Sequence, residues 1–215
     1  MAKGSAFERL ICKEISLWWS DDKDDDIFWR THGSGARATS RSSRGKATKG
    51  QYGDICAVDT RGIALTKLVT FSIKRGYAKT TLGDLIDAGE RNTEPMFSKW
   101  IREAVRDADR AGTDGWMIII KRNSRSTIVF MNLHLKMLLM HAGARRLNTL
   151  TPQVSCIAKI AQQPPPTKKE LVAMSSQEKL KLHRFTTQTI YGCKLESFLN
   201  VVTKHHIRLA YSRTK

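Results

Sequence analysis

Long apolar runs are absent from this chain of 215 residues. The longest extends from Trp116 to Ile120, far short of the roughly 18–20 apolar residues that a membrane span requires. The N-terminus also has no apolar segment of the kind found in a signal peptide. These absences argue against a membrane protein, and we expect a cytoplasmic protein without a membrane partner.

Cysteine is also scarce, with four residues that lie far apart and form no CxxC pair. Reduced, buried thiols are therefore the expectation. The adjacent histidines His205 and His206 have no Cys or His partners at zinc spacing either. A chain of this length removes roughly 70% of its unfolded surface from water, so it needs no disulfide or metal to hold its core together. The four cysteines are Cys12, Cys56, Cys156 and Cys193.

Acidic residues are few, with 20 against 37 basic residues, which gives a net charge of +17 and a pI near 10.0. Such an excess attracts polyanions, of which nucleic acid is the commonest in a cytosol. An anionic membrane surface is the alternative, but we find no basic amphipathic helix with a bulky apolar face. The excess is concentrated after residue 144, where 13 basic and 3 acidic residues make residues 145–215 a basic C-terminal extension.

The first part of the chain is typical of a helix followed by three strands. Apolar residues at three- and four-residue spacing predict a helix from Ser5 to Trp18. Short apolar runs predict strands at Ile27–Thr31, Gly53–Val58 and Leu68–Lys74. Residues 33–52 are rich in Gly and Ser and contain no acid, which predicts a mobile loop that becomes ordered on phosphate, with a plain linker as the alternative. The basic residues of this loop are Arg37, Arg41, Arg44, Lys46 and Lys49.

The rest of the chain adds helices and strands in alternation. This order predicts an α/β fold in which a mixed β-sheet is flanked by helices, over residues 1–144. Pro95 in its first turn and Gly112 after its end delimit the longest of these helices. The predicted elements are a short helix near Leu82–Ile86, a helix at Glu94–Ala111, strands at Trp116–Lys121 and Thr127–Met131, a helix at Leu133–His141, a proline-rich spacer at Gln163–Thr167, and a strand, helix and strand at Thr187–Ile190, Leu195–Val201 and Ile207–Tyr211.

Two strands that are predicted to be neighbours bring an acid and a lysine together. Asp54 lies at the start of one strand, and the next strand ends on Lys74. Because side chains two residues apart share a face of a strand, Ser72 and Lys74 point the same way. An acid can hold a hard divalent cation, the cation polarises a phosphodiester, and the lysine orients or deprotonates the attacking water. A surface ion pair at a strand end is the alternative.

Four stretches of sequence, in this order, carry a resemblance to a known family: GSAFERLICKEISLWW, FWRTHGSGARAT, YGDICAVD and LVTFSIKRGY. Together they resemble the PD-(D/E)XK nucleases, which have the restriction-endonuclease-like fold, and look like a phage-type branch similar to Holliday-junction resolvases. The resemblance extends from Gly4 to Met131. It implies a nuclease core in residues 1–144, located in the host cytoplasm if a phage encodes it.

The resemblance also implies roles for individual residues. Asp54 matches the first acid of the motif, a metal ligand, and Lys74 matches the catalytic lysine. Glu8 matches a glutamate of the first helix that is often near the active site. Ile73 stands at the position that gives its backbone carbonyl to the metal. The implied cofactor is Mg²⁺ or Mn²⁺.

The sequence departs from the family pattern at Ser72, where the second acid of the motif belongs. Serine cannot replace a carboxylate as a strong ligand for Mg²⁺. In some restriction enzymes of this fold, the acid comes from the following helix instead. Here Asp84, Asp87 and Glu90 are the candidates, and Asp87 is favoured. The alternative is that the acid is lost and the protein binds DNA without cutting it efficiently.

We therefore expect a Mg²⁺-dependent DNA endonuclease that hydrolyses phosphodiester bonds, with branched DNA as a candidate substrate. Nucleases of this fold commonly act as homodimers, so the resemblance also implies a homodimer. A catalytically silent DNA-binding protein on the same fold is the second hypothesis, and an RNA-binding protein is a third. The expected DNA-binding residues are Arg37, Arg41, Arg44, Lys46, Lys49 and Arg75.

Overall fold

The computed structural model describes residues 3–31, 52–77, 80, 95–151, 153–161 and 185–214, with the backbone alone at 156–161 and 185–188. Six helices and seven strands lie in these ranges. None of these helices is both long enough and apolar enough to pass through a bilayer. The elements are α1 (Lys3–Ser20), β1 (Phe28–Arg30), β2 (Ile55–Ala57), α2 (Ile63–Leu68), β3 (Val69–Arg75), α3 (Met96–Ala111), β4 (Gly115–Lys121), β5 (Thr127–Asn132), α4 (Leu133–His141), β6 (Gln153–Ala161), β7 (Phe185–Lys194), α5 (Leu195–Val201) and α6 (Lys204–Ser212).

The main sheet has five strands in the order β3-β4-β5-β7-β6, and β3 is one of its edges. The β3 and β4 strands are parallel, whereas the other neighbouring pairs are antiparallel. The short strands β1 and β2 form a separate antiparallel pair. The predicted α/β class with a mixed sheet between helices, of the restriction-endonuclease-like type, is confirmed.

The two faces of the sheet pack against different helices because side chains alternate along each strand. On one face, Phe71 and Ile73 of β3 join the core cluster that contains Phe7 and Ile11 of α1. On the other face, the β4 residues Trp116, Ile118 and Ile120 pack in a second cluster with the apolar side of α3. The register of the parallel pair places Ser72 beside Ile118 and Lys74 beside Ile120. Ser72 and Lys74 therefore face α3, as the alternation predicts.

A buried serine ties the first helix to the small sheet. Ser16 of α1 is completely buried, and its Oγ accepts hydrogen bonds from the backbone N–H groups of Ile27, at 3.2 Å, and Phe28, at 2.9 Å. The same hydroxyl donates to the carbonyl of Cys12 at 2.8 Å. These hydrogen bonds fix the position of α1 relative to β1. Glu8 of α1 and Arg30 of β1 can consequently form an ion pair.

Several predicted elements differ from the structure in kind. The connection between the predicted strands Gly53–Val58 and Leu68–Lys74 contains a 3₁₀ turn at residues 60–62 that continues into the unpredicted helix α2. Pro95 stands at the N-cap position of α3, just before the first turn, and makes no side-chain capping bond. Gly112 ends the helix with φ +64°, as predicted. Ile207–Tyr211, predicted as a strand, lies within α6 because Thr203 and His206 form a capping box that starts a helix.

The basic C-terminal extension supplies strands to the same sheet as the preceding residues. The β7 strand lies between β5 and β6, so it is an interior strand. The β6 strand was not predicted, since Gln153–Ala161 mixes polar and apolar residues without a clean alternation.

The division into a core of residues 1–144 and an extension of residues 145–215 stays a prediction. The proline-rich spacer and the predicted short helix near Leu82 lie outside the described residues.

Candidate active site at the edge of the main sheet

Asp54 lies against the outer edge of β3. In the described part of the chain, the strand that follows Asp54, β2, pairs with β1 and not with β3. The backbone N–H of Asp54 donates to the Phe71 carbonyl at 2.7 Å. Gly53 makes this approach possible: it has φ +79°, and a Cβ there would lie 2.6 Å from the Phe71 carbonyl oxygen. The Asp54 carbonyl in turn accepts from the N–H of Thr31, at 3.1 Å. Asp54 therefore joins the small sheet to the edge of the large one.

The Asp54 side chain is bound to the backbone between the two motif positions on β3. Its Oδ2 atom accepts a hydrogen bond from the Ile73 N–H at 2.6 Å. The N–H and C=O of one residue in an extended strand point to the same side of that strand. The Ile73 carbonyl is consequently on the side of β3 where Asp54 lies. The sequence-predicted acid and the strand that carries the predicted lysine are thus brought together.

Lys74 has a carboxylate partner that was missed in the sequence. Its Nζ lies 3.6 Å from Oε2 of Glu103 on α3, and the two side chains are 19% and 30% exposed. Ser72 faces the same helix. The α3 helix therefore presents an acid, Glu103, on the side of β3 where Ser72 stands in place of the second acid of the motif. The available signal was the one-turn spacing of Glu103 and Asp107 beside the apolar side of α3.

Asp107 belongs to the same acidic region. Burial raises the pKa of its carboxyl group, and the nearby charges of Asp54 and Glu103 add to the increase, while Arg106 and Arg110 oppose it. The carboxylates of Asp54 and Glu103 thus both lie within electrostatic range of Asp107. Within the described ranges, however, no three His, Cys, Asp or Glu side chains come together closely enough to hold a metal ion.

Glu8 lies on the α1 side of this region and is paired with Arg30 of β1. Oε2 of Glu8 and Nε of Arg30 are 3.2 Å apart, but the geometry is not that of a hydrogen bond. Burial raises the pKa of the neighbouring Cys12 thiol to about 12, and the charges of Cys56, Glu8 and Asp54 add to this effect. Cys12 is therefore an inert thiol at neutral pH, and Glu8 and Asp54 lie within electrostatic range of the same atom.

The remaining predicted residues divide into two groups. Arg75 is exposed at the end of β3, with its guanidinium carbon 5.6 Å from the centre of the Phe7 ring. The others lie outside the described residues, so their predicted roles stay predictions. These are the loop residues Arg37, Arg41, Arg44, Lys46 and Lys49 and the candidate acids Asp84, Asp87 and Glu90.

The raised pKa of Asp107 predicts a pH-dependent change in stability. A carboxyl group whose pKa is higher in the folded state stabilises the fold below its unfolded pKa, and this contribution is lost as the pH rises through the folded pKa. Asp107→Asn should therefore raise the free energy of unfolding at pH 7, and the gain should shrink as the pH falls toward the ordinary value of 3.8. Urea denaturation at pH 7 and pH 4.5 measures this difference.

A suitable control for this prediction is Asp109→Asn, two residues further along α3, because the Asp109 side chain is exposed. It should change the stability by less than about 0.5 kcal/mol at either pH. Loss of stability in Asp107→Asn at pH 7 would show that its charged form is favoured in the folded protein.

Comparison with known proteins identifies the family of this chain. A family model described as "Phage putative PDDEXK endonuclease" matches residues 1–163, which include α1, β3, α3 and every acid discussed above. No curated protein and no solved structure matches the chain. The matched segment covers most of the sequence, and it contains the Asp54 and Lys74 positions in the order of the PD-(D/E)XK motif. The chain therefore belongs to this phage family of the PD-(D/E)XK nuclease superfamily.

Proposed function

We propose that this protein is a metal-dependent DNA endonuclease whose active site lies at the edge of β3. The observation that carries the proposal is the hydrogen bond from the Ile73 N–H to Oδ2 of Asp54, at 2.6 Å. It fixes a carboxylate on the backbone one residue before Lys74. Family membership supports a nuclease, and the net charge of +17 supports a polyanionic substrate.

The oxygen donors at this edge suit a small, hard cation such as Mg²⁺ or Mn²⁺. Mg²⁺ is usually held by one or two carboxylates, with water and substrate phosphate completing the shell. Asp54 and the Ile73 carbonyl are the proposed ligands from the motif. Glu103 or Asp107 can supply a further carboxylate from α3, in addition to Asp87, which was favoured from the sequence. When bound, such a cation polarises a phosphodiester and lowers the pKa of a coordinated water.

Lys74 and its neighbours would handle the attacking water and the developing charge. The Lys74 ammonium offsets negative charge on the phosphoryl oxygens, or its amine takes up a proton from the water. Glu103, 3.6 Å from Lys74 Nζ, holds that side chain on the α3 side of the strand. Glu8 is proposed to orient water from the α1 side, with Arg30 fixing its carboxylate.

From the family resemblance we further propose that the substrate is branched DNA, as for Holliday-junction resolvases. We also propose that the protein is a homodimer whose two sites cut the two strands. The basic loop at 33–52 and Arg75 are proposed to bind the DNA backbone. The positive charge supports a DNA partner of any shape, so the branched substrate needs its own measurement.

The proposal is tested by incubating supercoiled plasmid and a four-way junction with the protein in Mg²⁺, in Mn²⁺ and in EDTA. We expect nicking in either metal, none in EDTA, and a higher rate on the junction than on a linear duplex of equal length. Equal rates on junction and duplex would remove the branched-DNA assignment alone. The competing function, a silent DNA-binding protein, is favoured by Ser72, which leaves the motif without its second acid. It predicts tight binding without nicking under every metal condition.

A further inference from the structure

The outward side of α3 carries a row of basic side chains. Basic residues recur there at three- and four-residue spacing, which places them along one side of a helix. Lys99, Arg106 and Arg110 are exposed and Arg102 is partly exposed. We call this row, Lys99, Arg102, Arg106 and Arg110, the α3 basic row.

The opposite side of the helix is firmly packed, so the α3 basic row has a fixed position. Trp100, Ile101, Ala104 and Ala108 are buried in the second core cluster, where they contact the face of the sheet that carries Ser72 and Lys74. From Lys99 to Arg110 the row extends about 16 Å at 1.5 Å per residue. This length corresponds to about five base-pair steps of B-DNA at 3.4 Å per step.

The α3 basic row runs directly beside the acidic region of the candidate site. Glu103, which contacts Lys74, lies between Arg102 and Arg106 in sequence. Asp107 lies 3.6 Å from Arg106 in an ion pair whose arginine side chain is 47% exposed. The Asp107 side chain is only 25% exposed, but a guanidinium has five N–H donors. Arg106 can therefore bind a phosphate with the donors that do not face Asp107.

We propose that the α3 basic row binds the phosphate backbone of duplex DNA and lays one strand past the Asp54–Lys74 edge. This inference rests on the proposed function. It adds α3 to the basic loop at 33–52 as a part of the protein that binds DNA. Lysine and arginine side chains neutralise phosphates and release condensed counterions. The alternation of basic and acidic residues on α3 then has a simple use. The basic side chains hold the DNA backbone, while the acidic side chains remain beside the phosphodiester bond to be cut.

The test measures the affinity of a short DNA duplex in EDTA at several salt concentrations, so that cleavage plays no part. Arg106→Ala/Arg110→Ala should bind more weakly than wild type. The slope of log K against log salt should decrease by about 0.9 for each phosphate contact, or about 1.8 in total. The matched control is Arg145→Ala/Arg146→Ala, which removes the same charge from exposed positions. The adjacent Leu147 packs in the core cluster on the other side of the sheet. The control should leave the slope unchanged.

Three results would overturn the inference. An unchanged slope in the α3 variant would show that the row does not touch phosphates. Equal losses in both variants would show a general effect of net charge. An RNA duplex that displaces the DNA at equal or lower concentration would assign the row to RNA. Thermal unfolding of both variants checks that each is folded.

Failure of this inference and failure of the proposed function give different results. A wild-type protein that nicks DNA in Mg²⁺, with an α3 variant whose salt slope is unchanged, removes the α3 basic row and leaves the endonuclease. A wild-type protein that never nicks, with an α3 variant whose salt slope is flattened, removes the endonuclease and leaves the DNA path.

Discussion

Replacing Asp54 with asparagine should lower the nicking rate in Mg²⁺ by a factor on the order of 10²–10³. A cation acting as Lewis acid supplies several kcal/mol of charge stabilisation, and each 1.36 kcal/mol corresponds to a tenfold change in rate. Asparagine has nearly the same size, and its amide oxygen can still accept the hydrogen bond from the Ile73 N–H. The fold should therefore persist while the charge that holds the cation is lost. Initial rates of plasmid nicking measure the effect.

The control for the Asp54 variant is Asp59→Asn, five residues further along the chain. Asp59 is bound to Arg61 through an exposed side-chain pair, so the substitution removes the same charge away from the edge of β3. It should nick DNA at the wild-type rate. Both variants should bind DNA in EDTA as tightly as wild type. If Asp54→Asn nicks normally, the carboxylate on the Ile73 backbone is not a metal ligand and the proposed site is wrong.

Replacing Lys74 with methionine should also lower the nicking rate strongly, by a factor on the order of 10²–10⁴ if the amine transfers a proton. Methionine keeps the unbranched stem against α3 but removes the charge and the proton. Lys74→Arg separates these two roles, since arginine keeps a positive charge and does not deprotonate. An intermediate rate in Lys74→Arg, together with an altered pH–rate profile, is the result expected for proton transfer.

Lys67→Met is the matched control for the Lys74 variants, because Lys67 is an exposed lysine on α2. It should leave the rate and its pH dependence unchanged. Full activity in Lys74→Arg would assign a purely electrostatic role to this position. Full activity in Lys74→Met would place the chemistry elsewhere, whatever the result for Asp54.

The sequence allowed much of the fold to be predicted because the relevant signals are local. The apolar spacing in α1 and α3, the alternation in β3, and Gly112 after α3 each depend on residues within a turn or two. The face shared by Ser72 and Lys74 follows from the two-residue period of a strand. The strand predicted at Ile207–Tyr211 is wrong, because a short apolar stretch does not distinguish the two-residue period of a strand from the 3.6-residue period of a helix. The capping box of Thr203 with His206 favours the helix.

The candidate site could be predicted only in part from the sequence. Asp54 and Lys74 were identified from their order and their strands, and the structure brings Asp54 to the backbone of β3. Glu103 was missed because it lies 29 positions after Lys74, on a helix whose rotation about its axis depends on packing. The pairing of Glu8 with Arg30 was missed for a similar reason, since it depends on how Ser16 fastens α1 to β1.

By itself the sequence determined the helices and strands with strong periodicity, the excess of positive charge, and the residue types and order that identify the family. Only the tertiary structure decided which acid meets the lysine, that β7 is an interior strand, and that the α3 basic row stays exposed while the opposite side of the helix packs on the sheet. The physical reason is the range of the forces involved. Backbone preference and side-chain period act over a few residues, whereas the position of a helix against a sheet follows from burying apolar surface contributed by the whole chain.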